Sequence, residues 1–108
     1  MPWDEGLAQL MRDDLAGLAV VEKRMFGGLA FMVAGHMVCG IHKGGAMFRV
    51  GKPNEAAALQ VQGCTRMVMA GRPMPGMIDC SDAGVADDAR RGVLMGLALG
   101  FVRGLPPK

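Results

Sequence analysis

The sequence predicts an α+β domain. Apolar residues recur every three or four positions near both ends of the chain, while short alternating runs broken by paired glycines fill the middle. The 108 residues, 51% apolar and 20% charged, suit one core spanning 1–108, because two cores of half that size would each be marginal. At the amino end, Leu7, Leu10, Met11, Leu15 and Leu18 mark one stripe of a helix that Asp4 caps and that ends near Gly17. Residues 20–26 alternate as a strand and stop at Gly27-Gly28. Residues 29–34 and 37–42 form a tight hairpin through Gly35-His36, and Lys43-Gly44-Gly45 turns the chain into a fourth strand at 46–50. Pro53 and the N-cap Asn54 then start a short Ala-rich helix at 55–61. A strand at 64–69, a loop at 70–76 and a strand at 77–80 precede a long helix at 85–102. In that helix Val93, Leu94, Leu97, Ala98 and Phe101 supply the apolar face, and Asp87 supports Arg91 from four residues away.

The resulting order is α-β-β-β-β-α-β-β-α, and loops this short make neighbouring strands antiparallel. Two layers follow, with the helices on one face of the sheet. The other face must meet water or a second copy. Half the residues are apolar and eleven are Met, more than one small core absorbs, so an exposed patch and a homodimer are expected, with Met32, Met37, Met47 and Met67 as its candidates.

The residues offer little chemistry. His36 and His42, six apart on one strand, stand about 20 Å from each other and cannot share a metal. Cys39, Cys64 and Cys80 contain no CxxC spacing, so neither a zinc site nor a disulfide framework is expected. Free cysteines are among the most buried residues, and Ser81 lacks a G-x-S-x-G context, so no catalytic nucleophile stands out. Asp13-Asp14 and Asp87-Asp88 are adjacent on helices and face apart, as solvating groups rather than an acid and base pair. Gly27-Gly28, Gly44-Gly45 and the Gly71 to Gly76 loop match no phosphate-binding motif. Met25, Phe26, Gly27, Gly28, Gly71, Pro73 and Gly76 are read as turn residues, with φ above zero expected at Gly27 or Gly28. No catalytic residue, metal or cofactor is expected, and the protein is read as no enzyme.

A net charge of +2 is too balanced to imply nucleic-acid binding, although Lys23, Arg24, Arg49, Arg66 and Arg72 form a candidate basic surface beside Phe26, Phe31 and Phe48. The acidic amino end is unlike a secretory leader, and the longest apolar run, 93–102, is too short to span a bilayer. Unpaired cysteines suit a reducing cytoplasm.

Arg24-Met25-Phe26-Gly27-Gly28-Leu29-Ala30-Phe31 resembles the opening motif of the TfoX N-terminal domain family. Gly35-His36-Met37, Met47-Phe48-Arg49-Val50-Gly51 and Gly71-Arg72-Pro73-Met74 follow in the family's order, and the similarity runs from about Leu18 to Val102. The resemblance implies a secretion-chaperone-like α+β fold and a regulatory or protein-interaction domain, with no catalytic residues to carry over. Family members bearing a second, C-terminal domain regulate transcription of competence genes beside a cyclic-AMP-responsive activator, which implies a transcription-regulator partner. Ala30 stands where the family commonly has Gly, and Met47, Met69 and Met77 fill aromatic positions, which weakens any stacking role. The alternatives are a nucleic-acid-binding module using the basic sheet surface, and a small ligand-binding protein or enzyme built on the Gly71 to Gly76 loop.

Overall fold

The computed structural model describes residues 2–25 and 27–108. Helix α1 (Glu5–Asp14) leads into strands β1 (Val20–Met25), β2 (Gly28–Val33), β3 (His36–His42) and β4 (Gly45–Arg49). A 3-10 turn (Lys52–Asn54) opens α2 (Glu55–Leu59), followed by β5 (Cys64–Met69), β6 (Arg72–Ser81), α3 (Asp82–Ala86) and α4 (Asp88–Arg103). The strands make one antiparallel sheet in the order β1-β2-β3-β4-β6-β5. The α+β order is the expected one, with the last helical stretch cut in two.

Local chemistry explains most boundaries. Asp4 caps α1 as expected, its carboxylate accepting the Leu7 N–H at 3.0 Å. Asn54 does not cap α2, because its side-chain amide donates instead to the Val50 carbonyl at 3.0 Å. Asp87, expected to support Arg91, instead accepts the Arg90 N–H at 2.9 Å and caps α4; this ends α3 one residue earlier and makes the break.

Two-residue turns join β2 to β3 and β5 to β6. Each sets an alanine before a glycine in the left-handed region, Ala34 (φ 52°) with Gly35 (φ 83°) and Ala70 (φ 53°) with Gly71 (φ 77°). The stretch expected as a loop at 70–76 is thus mostly strand. Pro73 and Pro75 are tolerated because this half of β6 pairs with β5 alone, through Val68 to Pro73 and Met69 to Arg72, and its pairing with β4 begins only at Met77. Gly27 has φ 74°, as expected of the first hairpin, while Phe26 beside it lies outside the described residues.

Cross-strand partners share a face of the sheet, and this sorts the side chains. Leu29, Ile41, Ala46 and Cys80 form one row, and Phe31, Cys39, Phe48 and Ile78 the next. Both rows are buried in one core with Met11 and Leu15 near α1 and Leu94, Met95, Ala98 and Val102 of α4. Val93, expected on the buried face, is 52% exposed. The opposite face carries Lys23, Ala30, Gly40, Met47, Asp79 and Thr65 in one row, with Val21, Met32 and Met37 beside it.

Two polar residues are buried among the described residues, His36 and Arg91. Arg91, 4% exposed, donates through Nε to Asp14 at 2.6 Å, through Nη2 to Asp88 at 2.8 Å, and through Nη1 to the Val85 carbonyl at 2.9 Å. Asp14 and Asp88, expected only to solvate helices, instead neutralise this cation. Arg91→Met should lower unfolding stability by about 2–3 kcal/mol in urea denaturation, somewhat under the cost of breaking a fully buried pair because Asp14 reaches water. Ala70→Asn, which suits the left-handed region better, should raise stability by about 0.5–1 kcal/mol in the same measurement.

Candidate functional site

The α4 helix ends over the junction of β4, the 3-10 turn and β6, where Arg49, Gly51, Lys52, Pro53, Pro75, Gly76 and Phe101 line a cleft of about 320 Å³. Two glycines make it. A Cβ at Gly51 would overlap the Phe101 ring, and one at Gly76 would come within 3.1 Å of the Gly51 Cα; both residues have positive φ. The Gly76 carbonyl accepts the N–H groups of Val50 and Gly51, each at 3.0 Å, and the Gly76 N–H donates to Glu55 at 2.9 Å. Gly76 therefore pins two segments together rather than turning a loop.

The Arg49 guanidinium lies 5.5 Å from the centre of the Phe101 ring, a cation–π arrangement, and Nη1 reaches His36 Nδ1 at 3.5 Å. His36 is buried and its Nε2–H donates to the Pro106 carbonyl at 2.6 Å, which leaves Nδ1 as the acceptor for Arg49. Residues from the blocks at 35–37, 47–51 and 71–74 thus fall around this end of the sheet only in part: His36, Arg49 and Gly51 meet here, while Gly71 and Arg72 sit at the β5–β6 hairpin. Helical spacing places Phe101 on the apolar face of α4, and it packs at the margin of the core, while its contact with Arg49 has no signal in the sequence.

The basic surface is not brought together. Strands β1 and β5 are opposite edges of the sheet, about 24 Å apart across five strand spacings. Lys23 lies on the helix-free face, whereas Arg24 and Arg66 share the helix-bearing face at opposite edges, and Arg24 stacks on Trp3 at 5.5 Å. Phe31 and Phe48 are fully buried, so neither offers a stacking surface to a nucleic-acid base.

On the helix-free face, His42 Nε2–H donates to Asp79 at 2.6 Å while Nδ1 accepts the Gly44 N–H at 3.1 Å. Both ring nitrogens are engaged, and the Ser81 hydroxyl accepts the Gly84 N–H at 3.3 Å. The Asp79 hydrogen bond raises the His42 pKa; burial opposes the rise, and the charges of Asp79 and Asp82 add to it. Burial pushes the Cys39 and Cys64 thiols up, and Cys80 up to about 12, so the three cysteines stay protonated and poorly nucleophilic at neutral pH. Among the described residues no group of three or more His, Cys, Asp or Glu is placed to hold a metal ion, and no helix is long and apolar enough to cross a membrane.

Beside the His42 pair, Met47 lies flat across Gly40 and is 2% exposed, so it is no part of an exposed patch. Val21 is 58% exposed and, with Lys23, Met32, Ala34 and Gly35, borders a shallow groove of about 210 Å³. Met67 is half-buried at the far edge, on β5.

The family model of the TfoX N-terminal domain matches residues 13–101, most of the chain. The chain belongs to the TfoX N-terminal domain family. The match takes in the cleft from Arg49 to Phe101, the His42 pair and the Arg91 cluster, while Pro106, which holds His36, lies beyond it. No curated protein and no solved structure matches the chain.

The raised His42 pKa fixes the sign of a pH effect. The ion pair stabilises the fold fully below the ordinary imidazole value of 6.5 and is lost as pH rises through the higher folded value. In an NMR titration His42 should therefore titrate above 6.5, and Asp79→Asn should bring its midpoint down.

Proposed function

We propose that this TfoX N-terminal domain is a regulatory protein-interaction module, acting on transcription of competence genes in a bacterial cytoplasm without catalysis or cofactor. The observation that carries this reading is the family match across residues 13–101. The chemistry of the side chains agrees with it: the cysteines are held protonated, both nitrogens of His42 are engaged, and the lone serine is spent on a backbone N–H. Contacts with other proteins are what such a surface can offer.

The module works as a homodimer that pairs its helix-free faces. Val21, with the half-buried Met32 and Met37 alongside, is the apolar part of that face, and the groove next to it gives the partner's side chains a place to pack. A two-fold arrangement removes these groups from water on both copies at once.

Two measurements test the reading. Deleting the gene should lower competence-gene transcripts, with recovery on expression of the wild-type chain; unchanged transcripts would reject the regulatory role. In sedimentation at physiological salt the wild type should associate as concentration rises, and Val21→Asp should shift it at least tenfold toward monomer. A wild-type monomer at every concentration removes the dimer and leaves the regulatory role to a different partner.

A further inference from the structure

The half-buried Arg49 differs from Arg91, the buried cation of the described residues. Arg91 is neutralised by two carboxylates, whereas Arg49 makes no ion pair among the described residues, and neither does Lys52 on the same cleft. On this wall Glu55 accepts the Gly76 N–H and forms no ion pair with either cation among the described residues. A guanidinium has five N–H donors, and here one long contact to His36 is the sole hydrogen bond it makes to the described residues. Held against the Phe101 ring, it keeps its charge at the mouth of a cleft whose other walls are Pro53, Pro75 and the glycines.

We propose that this cleft binds a small free carboxylic acid with an apolar body. The fork of Arg49 matches the two oxygens of a carboxylate, and Lys52 adds a second positive charge. Phosphate fits less well, because an anion nest needs several successive backbone N–H groups: Val50 and Gly51 donate to Gly76, Gly76 donates to Glu55 and the two prolines have none, so of these residues and Lys52 the Lys52 N–H alone is without a partner among the described residues. The apolar body packs on Phe101, Pro53 and Pro75. A volume of about 320 Å³ stands at the small end of the range for small-molecule sites, too short for an extended peptide. The proposal goes beyond the regulatory role and is independent of it, since binding is read on the purified protein whatever the cell does with it.

The full chain, labelled with nitrogen-15, is titrated with 3-phenylpropionate, its neutral amide, inorganic phosphate, and a short peptide ending in Phe. The acid should shift the amide signals of Gly51, Lys52 and Gly76 in a saturable way, and the neutral amide should bind about tenfold more weakly or worse, as expected for loss of a charge-assisted hydrogen bond. Arg49→Lys keeps the charge but loses the fork, and should weaken the acid several-fold; Arg49→Met should abolish the saturable shifts. Should Arg49→Met fail to fold, the acid and amide pair on wild-type protein and Lys52→Met decide alone. Equal binding of acid and amide, or no effect of Arg49→Lys, overturns the proposal. Tighter binding of phosphate overturns the carboxylate assignment, and tighter binding of the peptide overturns the free-acid source.

Discussion

A guanidinium as shielded as that of Arg91 costs several kcal/mol to desolvate unless its donors find acceptors, and three separate pieces of chain supply them. Val85 gives the carbonyl that the early end of α3 leaves free, Asp88 opens the next helix, and Asp14 closes the first. The break at Asp87 and the buried cation are therefore one device. An unbroken helix would spend the Val85 carbonyl on its own ladder and leave Arg91 short of a partner. Asp14 also gains: a carboxylate at the last residue of a helix meets the negative end of the dipole, and the cation offsets it.

From that anchor the rest of the helical layer takes its position. Drawing Asp14 to Arg91 sets α1 against α3 and keeps Trp3 and Arg12 over the inner side of β1, where they meet Arg24 and Glu22. In the other direction, α4 runs about 15 Å from Arg91 to Phe101 and delivers the ring onto Gly51. The cleft thus depends on a contact at the far end of the helix and on two glycines that admit the ring. With every helix committed to one side, the opposite face protects itself by other means. Ala30 and Gly40 are small enough for Met47 to lie flat, and the flexible thioether fills the shallow space that a branched side chain would overfill.

Most of the fold is legible in the sequence, because hairpins of two residues and the Asp4 cap are local events. The misread parts are those where tertiary partners overrule local signals. Two prolines and two glycines at 70–76 look like a loop, and become a strand because only one neighbour pairs with them there. Periodicity sets the buried face of α4 too far toward Val93, because the helix is apolar nearly all round from residue 92 on and its exposed side carries Gly92, Gly96 and Gly100 where charges would mark the water side. The Asp14–Arg91 pair is beyond any reading by spacing, since 77 residues separate its members.

The same limit applies to the basic residues. Five cations clustered in a stretch of sequence suggest a surface, but alternation along a strand and the order of strands in a sheet are independent, and together they disperse the charges over two faces and two edges. What sets Arg49 apart is its company rather than its charge. Arg12 finds a carboxylate and Arg91 finds two, and Arg24 lies exposed over an indole, while the half-buried Arg49 is held at the cleft by a ring and an imidazole that orient it without neutralising it. Folding tolerates this because Arg49 is only half-buried and water can solvate its free donors. A cation held in place but left with its charge uncompensated interacts more strongly with an incoming anion than one already satisfied, and this makes the end of α4, rather than the glycine-rich turns, the chemically open part of the molecule.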